Sequence, residues 1–228
     1  MDDSIGTGTR SGANQGAGAG ASAGVGPDWE DPKPGASRLP DHLRRPPGDL
    51  TEVLGKRRDI YRGRIIEVHV DDVRMPSGRA AEREVVEHPG AVAVLPITRE
   101  NRAVLVWQYR YPTRGSLLEI PAGKLDPGES PEACALRELG EETGYRAGRL
   151  VALGAAYPSP GFSGELLHLF WATDLEPGPA HPDADELLLT VQVSPSEARC
   201  LLKERRIADL KTWAALSWWL CRWGDGKE

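Results

Sequence analysis

Apolar and polar positions begin to alternate near Asp59, and Ile66, Val68 and Val70 then take every second place, the period of a strand. Met75-Pro76-Ser77-Gly78 supplies a turn before a second short run, Glu84-Val85-Val86-Glu87. Two denser apolar runs follow, residues 91–97 and 103–109, with Arg99-Glu100-Asn101-Arg102 between them as a hairpin loop. Residues 117–120 read as a further strand running into Pro121-Ala122-Gly123. The period then changes. Ser130 suits an N-cap, and Pro131 suits the first helical position, where a missing N–H leaves nothing unpaired. The helix is expected to reach Thr143 and to end at Gly144 as a left-handed C′ residue. Strands resume at 150–155, 166–173 and 187–193, and an acidic, Pro-containing loop, 174–186, separates the last two. Residues 195–204 and 212–223 read as closing helices. Strands first, one helix in the middle and helices at the end predict an α+β or α/β sandwich around a mixed sheet.

Ahead of this region the pattern is missing. Residues 6–26 are nearly all Gly, Ala and Ser, and 27–47 are rich in Pro with scattered charges. Such a stretch buries too little to offset the cost of ordering its backbone. Residues 1–50 are therefore expected to be a disordered tail, with a docking arm as the functional alternative, and 51–228 to be the folded domain. The chain of 228 residues carries a formal charge of -6, with both signs interleaved. Counterion release gives little drive toward nucleic acid, so no nucleic-acid partner is expected. No apolar run approaches the roughly 20 residues of a membrane helix, and no apolar stretch follows the acidic start, MDDSIGTGTR. Cys134, Cys200 and Cys221 match no zinc spacing and suit a reducing compartment. These features predict a cytoplasmic protein with no membrane partner.

The chemistry concentrates in Gly123 to Tyr145, GKLDPGESPEACALRELGEETGY. At about 100° per residue, Glu138 and Glu142 share one helical face with Glu141 on its flank. Ala133, Leu136, Leu139 and Gly140 are expected on the opposite side, facing the core. Cys134 falls one turn before Glu138, but a soft thiolate suits Mg²⁺ poorly. Three carboxylates near the negative end of a helix repel one another and oppose its dipole, so stability alone does not favour them. A hard divalent cation bound to oxygen donors resolves the conflict. The structural alternative is a solvated acidic face.

The pattern is longer than a Glu pair. Gly123, Glu129, Arg137-Glu138-Leu139, Glu141-Glu142 and Gly144-Tyr145 stand at the spacing of the Nudix box, which the stretch resembles at every fixed position; Tyr145 replaces a more usual aliphatic residue. Outside the box, Arg83 to His88, Gln108 to Tyr111, Leu118 to Gly123, the prolines Pro158 and Pro160, and Asp209-Leu210-Lys211-Thr212 resemble the ADP-ribose pyrophosphatase subgroup. Residues 1 to about 50 resemble nothing in it.

This resemblance implies a Nudix-type α/β/α sandwich and a Mg²⁺-dependent hydrolase, with Mn²⁺ as a substitute, that splits ADP-ribose into AMP and ribose 5-phosphate. A nucleotide-sugar pyrophosphatase and a non-catalytic nucleotide sensor on the same fold are the alternatives. It implies Glu138 and Glu142 as metal ligands, the carbonyl of Ala122 as a third, and Glu141 as a helper through water or a second metal. Arg137 and Glu129 would brace the loop. The general base is expected from the loop His181 to Glu186. Relatives often carry glutamate where this chain has Ala184, so Glu186 stands first, as base or metal ligand, with Asp185 and Asp183 behind it. Arg110 is a candidate for phosphate or ribose, the alternative being a surface salt bridge. Glu119 suits a ribose hydroxyl or an arginine partner, and Phe162 and Tyr109 suit adenine stacking or the core. His69, His88 and His168 read as structural. Trp213, Trp218, Trp219 and Trp223 suit core packing or a dimer interface, and the subgroup implies a homodimer acting on a small nucleotide substrate.

Overall fold

Three sheets hold the strands of the computed structural model. The chain divides into two units, Met1–Arg38 and Leu39–Glu228, and the structure describes Pro40, Leu43, residues 45–182 and residues 186–223. Most of the predicted tail, and the loop residues Asp183, Ala184 and Asp185, lie outside the described residues.

The first sheet is an antiparallel meander of β1 (Val53–Arg62), β2 (Glu67–Arg74) and β3 (Ala80–Glu87). The predicted turn between β2 and β3 is present: Gly78 takes φ +82° and donates its N–H to Met75 O at 2.8 Å. The alternation on β2 is inverted relative to its hydropathy, because His69 and Asp71 are buried while Val68 and Val70 are only half-buried. Ion pairing makes this tolerable. Asp71 lies 2.9 Å from His69 Nδ1 and 3.2 Å from Arg57 Nε, and Glu87 lies 3.1 Å from His69 Nε2. All ten residues of β1 are exposed.

The second sheet carries the core. Its order is β7 (Ala122–Lys124), β4 (Ala91–Pro96), β9 (Leu167–Pro177), β8 (Tyr145–Ala156), with β4 and β9 parallel and the outer pairs antiparallel. Every residue of β4 is buried, as a continuous apolar run requires of a strand covered on both faces. Its side chains divide between two clusters. Ala93 and Leu95 pack with Leu105, Ile120, Leu216 and Trp219; Val92 and Val94 pack with Cys134, Ala135, Leu139 and Phe170. The third sheet, β10 (Leu188–Val193), β5 (Ala103–Arg110), β6 (Gly115–Glu119), is antiparallel throughout.

Helix α1 (Pro131–Thr143) starts and stops where its caps predict. The side chain of Ser130 accepts from Ala133 N, and Gly144 caps the end at φ +73°. Its orientation corrects the helical-wheel expectation. Leu136 is 45% exposed and Ala133 is exposed, while the buried face carries Cys134, Ala135, Leu139 and Glu142. The glutamate face and the apolar face are neighbours, so packing α1 on β4 drives Glu142 inward.

Helix α2 (Pro195–Lys203) opens with a capping box between Ser194 and Glu197. In α3 (Leu210–Trp223), Asp209 Oδ2 accepts from Thr212 N at 2.9 Å. Trp219 is core, Trp218 tilts against Trp171 with ring centroids 5.9 Å apart, and Trp213 is half-exposed; the side chain of Trp223 lies outside the description. Among the described residues no helix is long and apolar enough to cross a membrane.

Candidate active site

Packing α1 on β4 and β7 sets the position of each box carboxylate. Glu142, in the last turn, is 4% exposed and accepts from Ala122 N of β7 at 3.2 Å. One turn earlier, Glu138 lies over Gly123, where a Cβ would collide with its carboxylate. Glycine at 123 is therefore a condition of Glu138 occupying this place.

Arg137 braces the outer side. Its guanidinium grips Glu129 at 2.9 and 2.8 Å, and Nη1 reaches Glu138 at 2.7 Å and Glu141 at 3.0 Å. Glu129 in turn accepts from Asp126 N at 3.1 Å, which ties the loop before α1 to the helix. The arginine holds the Glu129 carboxyl down to about 2. Arg137 and Glu129 thus stand in the bracing arrangement that the resemblance implies.

Deeper in, the charge is not balanced. Burial pushes Glu142 up to about 8; Glu138 and Glu186 push the same way, against the Ala122 hydrogen bond and Arg110. Glu138 is also raised, by burial first and by Glu141 and Glu186, despite Arg137. A fold that gathers carboxylates and then disfavours their ionisation has the electrostatics of a cation site. Among the described residues no three His, Cys, Asp or Glu side chains are closed on one point as a metal group, and Glu138 is already engaged by Arg137. Buried oxygen donors of this kind fit a hard divalent ion. Cys134 takes no part in this charge. Its Sγ is buried against Lys124 O at 3.3 Å and its thiol is pushed up to about 12 by that burial.

Two cavities meet here. One, of about 450 Å³, is lined by Glu138, Glu141, Glu186, Arg137 and Asp126. The other, of about 300 Å³, is lined by Pro158, Glu165, Leu167, Asp209, Leu210 and Lys211. His88, Arg110, Ala122, Gly123 and Lys124 border both. Glu186 comes from the loop before β10, and Gln108 Nε2 donates to its Oε1 at 3.4 Å. The cavity thus unites Glu138, Glu141 and Glu186 with Ala122 and Arg110.

Arg110 is half of a paired cluster. Its Nε and Nη2 donate to Glu119 at 2.9 and 2.8 Å, Lys211 also reaches Glu119, and Asp209 accepts from Lys211 at 3.0 Å. Burial pushes the Glu119 carboxyl up, but Arg110 and Lys211 more than offset it and hold the group below the usual range. Of the two roles open to Glu119, an arginine partner is the one present; at 1% exposed it borders neither cavity. Phe162 is 57% exposed and borders neither cavity, its carbonyl accepting from Val86 N at 2.7 Å. Tyr109 is exposed on β5. His69 is tied into the meander, as the sequence suggested, but His88 borders both cavities. Its signal was its place in the His88-Pro89-Gly90 turn, which a search for metal-ligand spacing passes over. Lys124, next to Gly123, was likewise missed.

Comparison with known proteins converges on this arrangement. The NUDIX domain family matches residues 79–215, and the nucleoside diphosphate sugar hydrolase N-terminal domain matches residues 55–86. The chain is 43% identical over 171 residues to an ADP-ribose pyrophosphatase of Bacillus subtilis (strain 168), covering 74% of this chain and 92% of the relative. It is 46% identical over 165 residues to the methanol dehydrogenase activator of Bacillus methanolicus, covering 72% and 89%. The crystal structure of an ADP compounds hydrolase superposes with a TM-score of 0.68 at 25% identity, over 79% of this chain and all of that one.

Proposed function

The chain belongs to the Nudix family, and we propose that it hydrolyses ADP-ribose to AMP and ribose 5-phosphate with Mg²⁺ held by Glu138 and Glu142. It is a pyrophosphate-hydrolysing enzyme acting on nucleoside diphosphate-linked compounds; the choice of ADP-ribose and of Mg²⁺ over Mn²⁺ is our reading. The observation that carries it is the buried Glu142 carboxylate, short of positive charge and repelled by Glu138 and Glu186, which line a cavity bordered by Arg110 and Lys124.

Glu138 and Glu142 would hold the cation, with the Ala122 carbonyl as a further oxygen donor. Bound there, a divalent ion neutralises diphosphate charge and makes water more acidic. The chain's own residues do the remaining work. Arg110 and Lys124 draw the phosphates to the seam of the two cavities, and Arg110, held by Glu119, acts there without reorganising. Glu186 accepts the proton of the attacking water. Glu141, held by Arg137, keeps an acceptor at the cavity's edge and orients water there. The sensor alternative loses ground because Glu138, Glu141 and Glu142 are all in place.

The test is product release from ADP-ribose, nucleotide sugars, NADH and nucleoside triphosphates, with Mg²⁺, with Mn²⁺ and with EDTA. Fastest cleavage of ADP-ribose, abolished by EDTA, is the expected result. Faster cleavage of a nucleotide sugar would replace the substrate, and no cleavage of any compound would replace the enzyme with a sensor.

We further propose that residues 51–228 form the hydrolase and that it is a homodimer. β1 is an edge strand that exposes Val53, Leu54, Ile60 and Tyr61 by more than half, and such an edge is ordinarily covered. A chain lacking residues 1–50 should keep wild-type kcat/KM and sediment as a dimer. A large loss of either would assign the tail to the site or the interface.

A further inference from the structure

We propose that His88 is a substrate-positioning residue whose Nε2–H donates to a phosphate oxygen of the bound nucleoside diphosphate. The inference builds on the hydrolase reading above, and names a contact which that reading does not need.

The turn that carries His88 is fixed on every side. Pro89 locks its own φ. Gly90 takes φ +97°, where a Cβ would stand 3.1 Å from Leu125 Cδ1 and 3.3 Å from Leu166 O. Gly90 O accepts from Leu125 N at 3.1 Å, so the turn is pinned to the loop that leads into α1.

The ring itself is oriented by one hydrogen bond. Gly90 N donates to His88 Nδ1 at 3.1 Å. An acceptor nitrogen carries no proton, so the neutral imidazole holds its proton on Nε2. Among the described residues Nε2 has no hydrogen-bond partner. A half-buried imidazole whose other nitrogen is already committed offers this one donor to the space in front of it.

That space is the seam. His88, Arg110 and Lys124 are the side-chain donors bordering both cavities, whereas Glu138, Glu141 and Glu186 border only the larger one. Arg110 spends Nε and Nη2 on Glu119, which leaves Nη1 to the cavities. Three donors converging on one border suit a group that only accepts. Phosphate oxygens only accept. A ribose hydroxyl also donates, and its acceptors, Glu165 and Asp209, border the other cavity alone.

Two amide variants separate positioning from turn-building. His88→Asn keeps an oxygen near the Nδ1 place, able to accept from Gly90 N, but nothing reaches the Nε2 place. His88→Gln extends an amide N–H toward the Nε2 place and gives up the short turn bond. We expect His88→Asn to melt as wild type does while KM for ADP-ribose rises about 10- to 100-fold, the scale of a lost hydrogen bond to a charged group. Calorimetric affinity for α,β-methylene-ADP should fall in parallel, with kcat changed less. His88→Gln should melt lower yet bind within a few fold of wild type. Wild-type affinity in the Asn variant, or weaker binding by Gln than by Asn, overturns the proposal, as does a wild-type protein that binds no α,β-methylene-ADP. A wild type that cleaves nothing but binds this probe in a His88-dependent way removes the hydrolase reading and leaves the histidine assignment standing.

Discussion

Replacing Glu142 with glutamine should lower kcat at saturating Mg²⁺ on the order of 10³-fold, the scale of losing a group that stabilises transition-state charge. The shape is kept and the charge is not. A glutamine carbonyl can still accept from Ala122 N, which Glu142 does at 3.2 Å, so the fold should survive. Stability should move in the opposite direction to activity. The Glu142 carboxyl is raised to about 8 from an ordinary 4.5, so the fold prefers the protonated form. Metal-free wild type therefore has this contribution in full below about pH 4.5 and loses it as pH rises through about 8. Glutamine does not ionise. In EDTA, Glu142→Gln should melt like wild type near pH 4 and above it near pH 9, and Mg²⁺ should raise the wild-type melting temperature most at the alkaline end. Turnover within tenfold of wild type would sink the metal assignment. Melting curves with the same pH dependence in both proteins would sink the electrostatic account.

Much of this was legible in the sequence because local rules and tertiary packing agree in the core. The all-apolar run of β4 required burial on both faces, and Ser130 and Gly144 bounded α1 by capping alone. β1 was not legible. Its sequence, VLGKRRDIYR, has no alternation because neither face of it is covered by the described residues, and the pairing with β2 comes from backbone hydrogen bonds that hydropathy does not report. β7, three residues long, is too short for any period. The wheel placed the box glutamates together and Leu139 in the core correctly, but it also turned Ala133 and Leu136 inward, and both are exposed. A wheel gives angles and not which neighbour a face meets, and here the neighbour is β4 beside β7.

The candidate site divides in the same way. The box stands on one helix at fixed spacing, so Glu138, Glu141, Glu142 and their brace Arg137 could be read directly. Residues gathered from separate elements could not be ranked. Glu119 precedes the box and stood between a ribose contact and an arginine partner; what decides for the partner is Arg110 on one side and, on the other, Lys211, 92 positions later at the start of α3. Glu119 is thus an anchor for the arginine that borders both cavities. His88 was set aside for want of ligand spacing, although what distinguishes it is a backbone turn and the cavity that turn borders.

Alanine at position 123 should cost on the order of 10²-fold in kcat/KM, a scale that a misplacement of about 1 Å can produce, while leaving the melting temperature within a few degrees of wild type. The added methyl would overlap the Glu138 carboxyl carbon and both of its oxygens. The obstructed group is the far end of a flexible side chain, so Glu138 can swing aside without moving the backbone, and the φ of Gly123 lies outside the left-handed region that would strain alanine. Stability is therefore nearly preserved, but Glu138 is displaced from the position one turn before Glu142. The concentration of Mg²⁺ giving half-maximal activity should rise accordingly. Gly161→Ala is the matched control, since a Cβ there meets nothing within 4 Å. Wild-type activity and metal response in Gly123→Ala would mean that the working enzyme does not hold Glu138 over β7. A fall in melting temperature as large as that in activity would mean that the methyl displaces the strand itself.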